Sequence, residues 1–98
     1  LPMNIPENKR EAVSEYLTRV NYVLLLGNFQ MDMSDGELSY KSVGVFEPEQ
    51  GLADSIVTRL TYVGFNMFDK YMPGVFAILY GGKSAAEAFD EIDQQEEK

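Results

Sequence analysis

The reactive side chains of this sequence are carboxylates, hydroxyls and a few amines, because it contains neither cysteine nor histidine. This composition excludes thiol catalysis, histidine-activated nucleophiles, disulfides and the usual zinc ligands. The 16 acidic residues could supply paired carboxylates of the kind that glycoside hydrolysis requires. Asp69 alone has an apolar setting that could raise its pKa, and the adjacent Lys70 favours a solvated pair on a helix instead. We therefore predict a protein that is not an enzyme and has no cofactor.

A phosphate-binding motif is the first alternative, because Gly82-Lys83-Ser84 resembles the end of a P-loop. A P-loop has a further glycine at the position of Ala77, and its domain needs a parallel sheet and a second acidic motif. A turn between two helices explains the same glycines with fewer requirements. We predict such a turn.

A calcium loop is the second alternative, because the acidic residues Asp32, Asp35 and Glu37 lie close together. A calcium-binding loop closes with a glutamate at its twelfth position, and the twelfth residue from Asp32 is Val43. Asp35-Gly36 is typical of a tight hairpin turn. We predict a turn without a metal.

The charge balance restricts the possible partners. A net charge of −8 would repel a phosphate backbone, so we expect no nucleic-acid partner. Six of the acidic residues lie between Glu87 and Glu97, where they form either a solvated tail or a docking segment.

The apolar segments are too short for a membrane span. The longest uninterrupted one, Val75 to Tyr80, is far shorter than a bilayer requires. We find no leader with a cleavage site, so the expected location is the cytoplasm. The start at Leu1-Pro2 indicates a piece of a longer polypeptide.

The first half of the chain is predicted to form a helix and a hairpin. Pro6 is suited to begin a helix, which we expect to end at Val20. The apolar spacing gives it one buried face: Val13, Tyr16, Leu17 and Val20. Alternating polarity then predicts an antiparallel hairpin from Tyr22 to Phe46, with a turn at 34–36 and a bulge at 42–44.

The second half is predicted to be helical. Apolar residues at helical spacing indicate a long helix between Leu52 and Ser84, which Pro73 should kink or break. The segment from Val75 to Tyr80 should be buried nearly all round, and Gly81-Gly82 should end the helix. A capping box at 84–87 opens a last short helix.

The predicted class is α+β, an antiparallel sheet flanked by helices. Because two strands alone are marginal, we expect upstream residues or a second copy to complete the sheet.

The long helix carries two apolar stripes where one would suffice to close a core. The first stripe consists of Ile56, Val57, Leu60, Val63, Met67 and Tyr71. The second consists of Phe65, Phe68, Met72 and Phe76. Aromatic residues and methionine suit adaptable protein-binding surfaces, so we predict that the second stripe binds a protein partner. Ordinary core is the alternative, because the other half of the sheet could cover the stripe.

Two further hypotheses concern function. A small ligand could bind in a pocket between the long helix and the hairpin, around Tyr40 and Tyr71. The chain could also form a homodimer with a purely structural role and no client.

Several short strings, in this order and spacing, resemble the YbjN family of bacterial sensory transduction regulators. They are Leu17 with Asn21, Leu26-Gly27-Asn28-Phe29, Asp35-Gly36-Glu37-Leu38-Ser39-Tyr40-Lys41, Asp69-Lys70-Tyr71-Met72-Pro73, and Tyr80-Gly81-Gly82 with Ser84 and Glu87. The resemblance covers Pro6 to Glu91. The chain departs from the family at Gly74, where alanine or leucine is more usual, and at Ala85-Ala86, where Pro-Glu is.

The resemblance implies a fold similar to type III secretion chaperones, which often pair as dimers. Residues 1–98 would then be a single YbjN-like domain, the C-terminal part of that fold, lacking its N-terminal helix and strands. The resemblance supplies no catalytic residues. It implies a chaperone-like or regulatory adaptor in bacterial signalling or stress response, with a client or signalling protein as partner.

Overall fold

The chain has an α+β fold in which three α-helices accompany a two-stranded antiparallel sheet. The computed structural model describes residues 4–24, 27–42 and 54–96, with side chains given for 4–24, 27–41 and 66–94. Its elements, in chain order, are a single-turn 3-10 helix at Glu7–Lys9, α1 at Arg10–Val23, β1 at Gly27–Met31, β2 at Leu38–Ser42, α2 at Asp54–Tyr80 and α3 at Ala85–Glu96.

Helix α1 confirms the predicted buried face. Its four expected core residues, Val13, Tyr16, Leu17 and Val20, are all buried. The helix continues to Val23, three residues beyond the predicted end, and stops where Leu24 becomes extended. Tyr22 and Val23, expected to begin the hairpin, are therefore helical, and both are exposed.

The hairpin is antiparallel, as predicted, and β1 ends at Met31, earlier than expected. Phe29 pairs with Tyr40, and Met31 with Leu38. Because directly paired residues share a face, these four side chains belong to the core side and the polar residues between them to the outer side. Met33 lies in the turn, so the predicted alternation ends before it. The predicted bulge at 42–44 and the predicted end of the hairpin at Phe46 lie outside the described residues, apart from Ser42.

Helix α2 is continuous through Pro73, so of the two predicted alternatives the break is wrong and the kink stays a prediction. A proline inside a helix removes one backbone hydrogen bond and crowds the preceding turn. Tyr71 and Met72 before it and Val75 and Ile78 after it are buried in one core. This shared packing offsets the local cost, because tertiary contacts routinely override helix propensity.

The C-terminal end of α2 is not buried all round, contrary to expectation. Val75 and Ile78 are buried, whereas Phe76 and Tyr80 are exposed. The reason is that α1 and α3 both contact α2, and they cover the side that carries the two buried residues. The helix is thus amphipathic to its last turn.

The connection between α2 and α3 follows the predicted local chemistry. Gly82 adopts a left-handed conformation with φ of 66° after the end of α2. The Ser84 N–H donates to Glu87 Oε1 at 3.0 Å, and the Glu87 N–H donates to Ser84 Oγ at 3.2 Å. These reciprocal bonds are a capping box, and they begin α3. Ala88 and Ile92 of α3 are buried, and Phe89 is partly buried.

Candidate protein-interaction surface

The four residues predicted to bind a partner do not share one exposed stripe. Met72 is only 7% exposed and belongs to the core. Phe68 is partly buried against that core, with its ring 5.4 Å from the ring of Phe29. Phe76 is exposed, and the side chain of Phe65 lies outside the described residues.

The physical reason is that α2 is covered on more than one side. It contacts α1, α3 and β2, so both of its stripes supply core residues. Sequence spacing shows that two apolar faces exist, and only the docking of the other elements decides which residues of each are covered. Met72 therefore lies in the core, which is the alternative weighed for this stripe, whereas Phe76 has the exposure that partner binding requires. Partner binding by this stripe stays a prediction.

Tyr80 lies beside Phe76 and extends the exposed apolar surface. The two rings stack with centroids 6.3 Å apart and an interplanar angle of 20°. Phe76 is 42% exposed and Tyr80 is 79% exposed. We call these two residues the α2 patch. Tyr80 was not predicted as a binding residue, although its spacing of four from Phe76 places both on one helix face.

Other exposed apolar side chains lie on different elements. Tyr22 is 92% exposed and Val23 is half-exposed, both in the last turn of α1. Met33, in the hairpin turn, is also half-exposed. Single exposed apolar residues are common on protein surfaces. The α2 patch differs because its two aromatic rings contact each other.

The region proposed to hold a small ligand contains an aromatic cluster. The ring of Phe29 lies 4.9 Å from that of Tyr40 and 5.8 Å from that of Tyr71. The ring of Phe68 lies 6.4 Å from that of Tyr40. All four contacts in the cluster are edge-on, which is a favoured aromatic geometry.

Burial in this cluster raises the pKa of both tyrosines. Loss of solvation is the cause for Tyr40. It is also the main cause for Tyr71, where the negative charge of Asp93 adds to it. Both hydroxyls therefore stay protonated at neutral pH, which suits them to structure and not to base catalysis.

Two surface grooves lie away from the aromatic cluster. One, of about 230 Å³, is lined by Gln30, Met31, Asp32, Glu37 and Ser39. The other, of about 540 Å³, is lined by Glu11, Ser14, Glu15, Thr18 and Met33. Neither includes Tyr40 or Tyr71.

The acidic residues of the hairpin turn bind the turn itself. Asp32 Oδ1 accepts hydrogen bonds from the N–H and the hydroxyl of Ser34, at 2.8 and 2.6 Å. These bonds hold the pKa of Asp32 below its usual value. Asp35 Oδ1 accepts the N–H of Glu37 at 2.9 Å. The predicted hairpin turn is confirmed, with Gly36 at a φ of 80°. In the described part of the chain, no three acidic residues are grouped to hold a metal ion.

The Gly82-Lys83-Ser84 segment is the predicted turn between helices. The residues from 77 to 80, directly before this segment, belong to α2. Lys83 Nζ pairs with Glu91 Oε1 at 3.2 Å, and the Ser84 hydroxyl caps α3. Both side chains thus have structural partners within the turn and α3. Across the residues described, no helix is long and apolar enough to cross a membrane.

Comparison of the chain with protein-family models, with curated proteins and with solved structures found no match.

Proposed function

We propose that this chain is a non-enzymatic protein-binding module that acts as a chaperone-like or regulatory adaptor in the cytoplasm, in bacterial signalling or stress response. The observation that carries the proposal is the α2 patch, in which Phe76 and Tyr80 stack in contact with solvent. The resemblance to the YbjN family supports the same function.

The patch has the composition that protein interfaces favour. Aromatic residues are enriched at the centres of interfaces, where they supply large contact areas with few rotatable bonds. The tyrosine hydroxyl can hydrogen-bond at the rim while its ring packs against a partner. The partner should therefore offer an apolar segment to Phe76 and Tyr80.

Electrostatics adds a second requirement for the partner. The chain carries a net charge of −8, so partners with a basic rim around the apolar segment would associate faster than acidic ones. Raised salt should slow this association. We therefore propose a basic polypeptide with an apolar anchor as the binding partner.

The test is affinity capture from the native cytoplasm with three forms of the protein: wild type, Phe76→Ser and Tyr22→Ser. Tyr22 is the matched control, because it is an exposed aromatic residue on a different helix. The proposal predicts polypeptides that bind wild type and Tyr22→Ser and are lost with Phe76→Ser. Circular dichroism must show that all three forms are folded.

Two other results would overturn the proposal. If Phe76→Ser retains the same partners, the α2 patch is not the surface that binds them. An empty capture, with a homodimer in light scattering that Phe76→Ser dissociates, would make the patch a self-interface. A thermal-shift screen against nucleotides and metabolites tests the small-ligand alternative, since a ligand at 100 times its Kd stabilises a protein by about 2.7 kcal/mol.

A further inference from the structure

One edge of β1 pairs with β2, and on the opposite edge the side chain of Asn21 makes the hydrogen bonds that a further strand would make. The Phe29 N–H donates to Asn21 Oδ1 at 2.7 Å, and Asn21 Nδ2 donates to the Phe29 carbonyl at 2.9 Å. In an antiparallel ladder, one residue of the neighbouring strand supplies the same acceptor and donor. The carboxamide of Asn21 thus occupies the position of a neighbouring strand at Phe29.

Strand β1 lacks the usual protections of an edge strand. Exposed edges are commonly protected by lysine, proline or a bulge, which discourage pairing with another chain. The sequence of β1, Gly-Asn-Phe-Gln-Met, contains no charged residue and no proline. Its ladder with β2 pairs residues one to one from Gly27 to Met31, without a bulge. Among the described elements, protection of this edge therefore depends on α1.

Two hydrogen bonds from Asn21 connect the last turn of α1 to β1. Val20 is the last buried residue of the helix, and Tyr22 and Val23 are both exposed. The two hydrogen bonds of Asn21 lie between them and connect the turn to the strand. Without these bonds, the last turn of α1 would lose its hydrogen bonds to β1, and the N–H and carbonyl of Phe29 would be available to another strand.

We propose that Asn21 blocks pairing of β1 with β1 of a second copy. Self-pairing is chemically feasible because Phe29 presents both its N–H and its carbonyl outward, as an antiparallel pair about a twofold axis requires. Phe29 would then lie opposite Phe29 of the second copy, and Asn28 opposite Gln30. No like charges would face each other, although the whole chain is strongly acidic.

The test replaces Asn21 and measures the mass in solution as a function of concentration. Asn21→Ala removes both hydrogen bonds, and Asn21→Leu removes them while keeping the same number of side-chain heavy atoms and without lowering helix propensity. We expect both variants to self-associate at concentrations where wild type does not. Exchange of the Phe29 amide hydrogen should be at least tenfold faster in the dilute monomer and should slow again on association.

Two control variants separate edge pairing from loss of stability. Ile92→Val lowers stability within α3, away from β1, and should keep the wild-type mass. Gln30→Lys, added to Asn21→Leu, places a charge on the exposed face of β1 and should suppress the association. If Asn21→Ala does not fold, Asn21→Leu provides the same measurement.

The proposal is overturned if the Asn21 variants keep the wild-type mass. It is also overturned if Ile92→Val associates as much as they do at an equal melting temperature. Association that Gln30→Lys leaves unchanged would mean that a surface other than β1 pairs.

Discussion

Tyr16 of α1 packs directly against Gly74 of α2, so closely that a β-carbon at position 74 would overlap its hydroxyl and ring. The same hydroxyl donates a hydrogen bond to the Tyr71 carbonyl at 2.7 Å. Both Tyr16 and Gly74 are buried. The contact therefore fixes how α1 docks on α2, and the absence of a side chain at Gly74 is what permits it.

Gly74→Ala should destabilise the protein, although alanine favours helices more than glycine does. The new methyl group would force Tyr16 or the helices apart, at a cost of about 1 to 3 kcal/mol in the free energy of unfolding. Urea denaturation measures this loss. Asn66→Ala, at an exposed position of the same helix, is the control and should be neutral or slightly stabilising. Equal stability of Gly74→Ala and wild type would show that the close contact is not maintained in solution.

Tyr16→Phe should also lower stability, by a different mechanism. It keeps the ring and removes the hydroxyl that donates from α1 to the Tyr71 carbonyl. Because that carbonyl lies inside α2, where the helix also supplies a backbone donor, loss of this hydrogen bond should cost about 0.5 to 1.5 kcal/mol in the free energy of unfolding. Urea denaturation at neutral pH again gives the value. A loss no larger than that of an exposed substitution would mean that this hydrogen bond contributes nothing to stability.

Alkaline pH should destabilise wild type more than Tyr16→Phe. Burial, and secondarily the nearby Tyr71, raises the pKa of Tyr16 above its ordinary value of 10.0. In the unfolded chain the hydroxyl ionises near pH 10, whereas in the folded protein it stays neutral to higher pH. The stabilising contribution is therefore complete below pH 10 and is lost as pH rises toward the folded pKa.

The measurement is the midpoint of alkaline unfolding, followed by circular dichroism between pH 8 and pH 12, about two units on either side of the ordinary tyrosine pKa. Tyr16→Phe should show a shallower decrease of stability in this range. It should not abolish the decrease, because burial also raises the pKa of Tyr40 and Tyr71. Parallel curves for the two proteins would contradict the prediction.

The parts of the fold that the sequence predicts are those determined by local chemistry. The buried face of α1 follows from helical spacing alone, and Gly36 and Gly82 are glycines at left-handed positions. The capping box at Ser84 and Glu87 depends on residues three apart. In each case the interacting residues lie within one or two turns of the chain, so the pattern contains the whole interaction.

The parts that the sequence does not predict depend on distant elements. Whether Met72 or Phe76 is covered depends on where α1 and α3 dock, and periodicity contains no such information. The role of Asn21 is hidden for the same reason, since its partner Phe29 belongs to another element. An asparagine near a helix end indicates only a helix boundary.

Ser84→Ala should destabilise α3 through loss of its cap. The hydroxyl that accepts the Glu87 N–H is removed, which costs about 1 kcal/mol in the free energy of unfolding.

The bond from the Ser84 N–H to the Glu87 carboxylate is the larger cause of the lowered pKa of Glu87, and the bond to the Ser84 hydroxyl adds to it. Stability linked to Glu87 is therefore present above its ordinary pKa of 4.5 and lost as pH falls through the folded value. Urea denaturation at pH 7 and pH 3 should show a smaller difference between Ser84→Ala and wild type at the lower pH, and an unchanged difference would contradict this coupling.

Met72 and Phe76 both belong to the second apolar stripe, yet Met72→Ala should lower stability much more than Phe76→Ala. The difference distinguishes the core residue from the residue of the candidate binding surface. Met72 is buried among the core residues, so its truncation leaves a cavity and should cost about 2 to 5 kcal/mol. Phe76 is 42% exposed, so the same truncation should cost less than about 1 kcal/mol. Urea denaturation of the two variants gives the comparison, with circular dichroism confirming the native helix content of Phe76→Ala. A large loss of stability in Phe76→Ala would place its ring in the core and would remove it from the surface available to a partner.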